Sequence, residues 1–187
     1  MKKLFLSAFI LLTLNAISQT PVLLDTTMQR ALLPKGYVDS KIDFRSFSVQ
    51  TKNGAILTNA SLKNKVTFIN FWFEQCAPCI AEFNALNGLY QKYKDYKDFQ
   101  FITFTFESEK DIDRIRKEYK LQYPIIHLEK DNIYQLNFHL GLPTNMVVDM
   151  SGKIAFIKSG GFTEMNKAQE EFDRVYSKQV ERVLLAQ

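Results

Sequence analysis

The chain has 187 residues, with 24 Lys+Arg against 20 Asp+Glu and a formal net charge of +4. At 46% hydrophobic and 24% charged it has a globular balance, which excludes a disordered chain, and its length suits one domain with a substantial core. So small a positive excess is not the balance of a nucleic-acid-binding protein.

The first elements concern export. Met1-Lys2-Lys3 is a positive start, Leu4 to Leu14 is nearly all apolar, and small or polar residues follow at Ala16, Ser18 and Gln19. This layout predicts a signal peptide over 1–18, cleaved after Ser18, with an uncleaved membrane anchor as the alternative. The apolar run is short for a membrane span. Residues 19–41 are expected to form a leader, with one helical turn at Met28–Leu33 before Pro34.

Beyond it, Ser46–Thr51 alternates as a strand, Lys52-Asn53-Gly54 is a turn, and Ile56-Leu57 returns as a second strand. Asn59–Leu62 predicts a short helical turn. Val66–Trp72 is a continuous β-favouring run, as expected of a strand buried on both faces. A helix is predicted to begin at or just after Cys76, with Pro78 in its first turn, where a missing N–H costs little. Cys79, Phe83, Leu86, Tyr90 and Tyr93 form its buried stripe.

Phe99–Phe106 predicts a second buried strand, and Ser108 caps a helix running to Tyr119. Pro124–Leu128 predicts a strand, and Asn132–Leu140 a short helix ending at Gly141. Asn145–Asp149 and Ile154–Ser159 predict strands joined at Ser151-Gly152. Gly160-Gly161 marks a break or bulge, and 165–186 a long amphipathic helix. The alternation predicts an α/β fold: a central mixed β-sheet flanked by helices, in one domain over 42–187.

The only two cysteines are Cys76 and Cys79. So close a pair closes too small a loop to staple a fold of this size, so chemistry explains it better than stability. A thiol attacks a disulfide as its thiolate. A helix N-terminus supplies unpaired N–H groups and the positive end of the helix dipole, which favour that thiolate at Cys76. Cys79, one turn on, faces inward. The pattern predicts an exposed attacker and a shielded resolver joined in a reversible Cys76–Cys79 disulfide. Structural zinc needs about four ligands, and His127 and His139 are distant in sequence, so no metal is expected. They are expected on a strand and on a helix surface.

Three stretches resemble the thioredoxin superfamily, in its exported TlpA/ResA-like branch. They are Asn70 to Phe83 with its Trp72 and CxxC, the loop Gly141-Leu142-Pro143-Thr144, and Val147-Val148-Asp149 through Ile154. The resemblance covers about 42–185. It implies a thioredoxin-like fold with an N-terminal β-hairpin and a strand and helix inserted before a cis-proline loop at Pro143. It implies catalysis by Cys76 and Cys79, with Glu82 exchanging a proton with the resolving thiol. It also implies a substrate surface formed by Leu142, Pro143, Trp72, Gln75, Ala77 and Pro78. A core role for Trp72 and a solvated one for Glu82 are the alternatives. Gln75 replaces the Trp common before the first cysteine, and Asn84 a proline common two residues after the glutamate.

The implied activity is thiol–disulfide oxidoreduction: reduction of exported protein disulfides, apocytochrome c among them. The implied reductant is a membrane thiol-electron transporter. No cofactor beyond the redox disulfide, no nucleic acid, a monomer and a periplasmic location are expected. Alternatives are a disulfide oxidase or isomerase and, from another class, a Cu(I)-binding or delivery protein, since soft thiolates suit Cu(I).

Overall fold

The computed structural model describes residues 42–186; the signal and leader segments expected over 1–41 lie outside them, as does Gln187. Strands β1 (Ser48–Gln50) and β2 (Ile56–Thr58) pair antiparallel as a small hairpin apart from the main sheet. Its turn closes through the Thr51 N–H donating to the Ala55 carbonyl, with Gly54 at φ +86°. A 3₁₀ turn follows at Asn59–Leu62, capped by Thr58.

The main sheet has the order β5-β4-β3-β6-β7. It is built from β3 (Val66–Trp72), β4 (Phe99–Thr105), β5 (Ile125–His127), β6 (Thr144–Val148) and β7 (Ile154–Ser159). The β3–β4 and β4–β5 pairs are parallel; β3–β6 and β6–β7 are antiparallel. Every residue of β3 is buried, as a central strand with both faces covered requires. Side chains alternate across it. Val66, Phe68 and Trp72 join one core cluster, and Ile69 and Phe71 the other.

The first face is covered by α1 (Ala77–Tyr93) and by the C-terminal helical segment. Phe68 lies at its centre, 5.1 Å from the Phe101 ring and 5.9 Å from that of Tyr176. Burying one such ring contributes about 1.5–3 kcal/mol. Phe44 and Leu62 from the N-terminal segment and Ile133 and Leu136 from α3 (Lys130–Leu136) cover the opposite face. Helix α2 (Glu109–Glu118) is capped by Ser108, whose hydroxyl accepts from the Asp111 N–H. Among the described residues no helix is long and apolar enough to cross a membrane.

Two predicted helices differ. The 132–140 helix instead spans Lys130–Leu136, because Phe138 and His139 both take positive φ, at 60° and 56°. His139 is therefore in the turn after α3 rather than on a helix surface. The long C-terminal helix is interrupted: α4 (Met165–Glu171) and α5 (Ser177–Leu185) are joined by a π-helical turn at Phe172–Tyr176.

Candidate active site

Cys76 ends the loop after β3 and caps α1. Its extended backbone, at φ −100° and ψ 97°, lets Sγ accept the Cys79 N–H at 3.3 Å. Thus one orphan donor of the helix start is aimed at the first sulfur. Pro78, in the first turn, has no N–H to lose. Cys76 and Cys79 are joined as a disulfide with a Cα–Cα distance of 5.2 Å. Upstream, the Arg114 guanidinium grips the Glu74 carboxylate through two bonds of 2.8 and 2.7 Å, and the Glu74 N–H donates to Glu107. The loop before Cys76 is thereby tied to α2 and the end of β4.

Cys76 is only 6% exposed and Cys79 1%. The expected contrast between exposed and shielded sulfurs is thus small in the disulfide state. Of the residues expected to form the substrate surface, Gln75 and Ala77 are exposed and Pro78 and Leu142 half-buried, whereas Pro143 is buried and offers a substrate little surface of its own. Trp72 departs from the expected substrate surface. It is 0% exposed, and its ring meets Phe83 edge-on at 5.0 Å, so it supports the site from below and offers a substrate no surface of its own.

The Leu142–Pro143 peptide bond is cis. The loop is held on both sides: Asn137 Nδ2 and Thr144 Oγ1 donate to the Gly141 carbonyl, and the Gly160 N–H donates to the Pro143 carbonyl at 2.8 Å. Among the described residues no hydrogen-bond partner holds the backbone of half-buried Leu142.

Glu82 stands on the buried stripe of α1, three residues after Cys79, and is 1% exposed. A solvated glutamate is thereby ruled out. Its Oε2 accepts from Asn145 Nδ2 at 3.1 Å, while buried Oε1 has no partner among the described residues. Burial disfavours the charged form and pushes the carboxyl up from the ordinary 4.5 to about 8, against the smaller opposing effects of Asn145 and Lys158. A Cβ added at Gly161 would fall 2.5 Å from Oε1 and 3.3 Å from the Pro143 ring. The free carboxyl oxygen and the cis-proline therefore meet beneath one exposed glycine.

Asn145 joins the group through register. It pairs with Asn70 of β3, whose Nδ2 donates to Asn145 Oδ1 at 2.9 Å, and its own Nδ2 also donates to Tyr176 Oη at 3.3 Å. Sequence reasoning missed Asn145, Tyr176 and Gly161. The available signal was parity: Asn70 and Asn145 interrupt apolar strands on the face that packs against α1.

The raised value has a consequence for stability. Folded Glu82 keeps its proton up to about pH 8 and releases it near 4.5 when unfolded, so the folded state binds more protons between those values. This stabilisation is complete below about pH 4.5, falls by about 1.4 kcal/mol per pH unit through the window, and is gone above pH 8. Glu82→Gln is expected to remove that slope, so that the variant gains on wild type as pH rises. Urea unfolding of both proteins at pH 5, 7 and 9 checks this; parallel profiles would contradict it.

Among the described residues no cluster of three or more His, Cys, Asp or Glu is arranged to hold a metal. His127 sits at the end of β5, with Nδ1 2.9 Å from the Glu107 carbonyl.

Known proteins resemble this chain in sequence and in fold. Thiol-disulfide oxidoreductase ResA of Halalkalibacterium halodurans is 28% identical over 127 residues, covering 68% of this chain and 71% of that one. ResA of Bacillus subtilis is 26% identical over 123 residues, 65% and 68% of the two chains. A thiol:disulfide interchange protein of the thioredoxin family from Chlorobium tepidum has the same fold. It superposes with a TM-score of 0.60 at 23% identity, over 79% of this chain and 99% of that one. The AhpC/TSA family matches residues 42–157, more than half the sequence. The protein belongs to the AhpC/TSA family and has the thioredoxin-like fold of thiol–disulfide oxidoreductases.

Proposed function

We propose that this thiol–disulfide oxidoreductase acts as a reductase of disulfides in exported proteins, cycling Cys76 and Cys79 between dithiol and disulfide. The carrying observation is the placement of Cys76 as the cap of α1, its sulfur facing the Cys79 N–H, with a buried carboxyl beside the cis-proline loop. Helix-terminal CxxC thiols have pKa values lowered to about 3.5–7.5, so Cys76 is available as thiolate at neutral pH.

In the reducing direction the Cys76 thiolate attacks a client disulfide and one client sulfur leaves as thiolate. Cys79 gives its proton to Glu82 in its ionised form, which is the minor form below about pH 8 but the stronger base for its raised pKa, and attacks the Cys76 sulfur, expelling the second client thiolate. Two electrons pass to the client, and the protein is left with the Cys76–Cys79 disulfide. The unpaired backbone of Leu142 offers an extended client segment a pairing edge, with Gln75, Ala77 and Pro78 as its contact surface and buried Pro143 shaping the loop from beneath. Apocytochrome c is one client of suitable chemistry.

The amino-terminal pattern supports export to the periplasm. There a reductant needs its own electron supply, for which a membrane thiol transporter is the natural source.

Equilibration of the pair against a defined thiol buffer tests the direction. The expected reduction potential is near or below about −250 mV, in the range of thioredoxin-like reductants. A value near about −120 mV would identify an oxidant instead. Failure to form a reversible disulfide would end the redox reading and make Cu(I) titration the next step.

A further inference from the structure

Asn70, Asn145 and Lys158 stand in register across β3, β6 and β7, on the face that α1 covers. A polar row therefore crosses the sheet beneath Glu82. At its β7 end the Lys158 ammonium bonds Glu171; the lysine side chain is 34% exposed and the glutamate 7%. Glu171 Oε2 is buried without a partner among the described residues.

The C-terminal helix is locally rebuilt to reach this row. Glu171 and Tyr176 are five residues apart, and in a regular α-helix they would face directions about 140° apart. The π turn between them takes an extra residue and changes that angle. Glu171 meets Lys158 and Tyr176 meets Asn145, so both helix residues contact neighbouring members of one row. Packing alone does not call for a buried carboxylate at 171, which is costly unless it is paired.

We propose that Lys158 and Glu171 are positioning residues for the Glu82 proton: Lys158 favours its release, and Glu171 restrains Lys158. The ammonium attracts the ionised carboxylate across the row, while the neighbouring negative charge offsets most of that field and holds the lysine on its own side. The other groups facing Glu82 carry no charge at neutral pH. Cys79 on α1 is bonded to Cys76. Tyr176 of the π turn and Tyr123, from the segment before β5, are buried phenols held protonated. Arg116 stands behind Tyr123, bonded to the Leu121 and Tyr123 carbonyls. The kinetic consequence rests on the reading of Glu82 as proton partner of Cys79; the electrostatic one does not.

The test is a carbon-detected NMR titration of the Glu82 carboxyl in the oxidised full chain, alongside the pH profile of thiol exchange. Lys158→Met is expected to raise the Glu82 midpoint by about one pH unit and Glu171→Gln to lower it by about one. Their double variant should fall between them, and Lys158→Arg, which keeps the charge, should stay near wild type. Opposed shifts of this kind do not arise from loosened packing. Midpoints that stay fixed, or that move the same way in both single variants, would overturn the proposal. Midpoints that move as expected while the exchange profile stays put would uphold the tuning and remove Glu82 from the exchange step.

Discussion

Cys76→Ser is expected to lower thiol–disulfide exchange at least about a thousandfold, to the background of the assay. The loss would be chemical rather than structural. Serine is a favoured helix cap, so the hydroxyl can accept the Cys79 N–H that the sulfur accepts now, and α1 keeps its start. A hydroxyl is not ionised at neutral pH and cannot replace the thiolate. Cys79 cannot stand in for it, being 1% exposed beneath the first turn. The cross-link lost closes a four-residue loop and is worth roughly 2 kcal/mol by the chain-entropy relation, so the variant should remain folded. Reduction of a small disulfide by the prereduced variant, with circular dichroism as the folding control, checks this. Retention of a tenth of wild-type activity by a folded variant would contradict it.

Cys79→Ser is expected to divide the reaction at its midpoint. The first attack needs Cys76 and the donors at the helix start, all of which remain, so its rate should stay within about threefold of wild type. The second step needs a sulfur one helical turn from Cys76, and serine supplies none, so steady turnover should fall at least about a hundredfold. The Cys79 backbone N–H still points at the Cys76 sulfur in this variant and still favours it as a thiolate, so loss of turnover with an intact first step isolates the resolving thiol. Single-turnover and steady-state rates measured on one preparation separate the two steps.

Much of the fold was legible in the sequence because its strongest signals are local. Val66–Trp72 is a central strand because six of its seven residues, all but Asn70, are β-favouring and neither face is predominantly polar. Ser108 begins a helix because its hydroxyl satisfies an orphan N–H, and Cys79, Glu82 and Leu86 share a face because α-helices repeat every 3.6 residues. The same spacing brings Glu82 to that face, and it is its 1% exposure that decides against the solvated alternative.

What was not legible depends on distant chain segments meeting. Lys158 reads as an ordinary edge residue of β7 until register places it opposite Asn145. Glu171 and Tyr176 lie on different faces of any regular helix, and only the packed π turn brings them to one row. Gly161 reads as a chain break; its contact with Glu82 and Pro143 exists only once β7 has paired with β6. Trp72 beside the CxxC suggested a substrate contact, whereas the parity of β3 turns its ring into the core against Phe83.

The central claim is that Cys76 attacks and Cys79 resolves. Intact-mass analysis of prereduced Cys79→Ser protein mixed with a small disulfide tests it most directly. The predicted result is a single adduct of one disulfide half, located at Cys76 by peptide mapping, stable in the absence of thiol and removed by reductant. Absence of that adduct, or its rapid loss with wild-type turnover, would contradict the two-cysteine cycle.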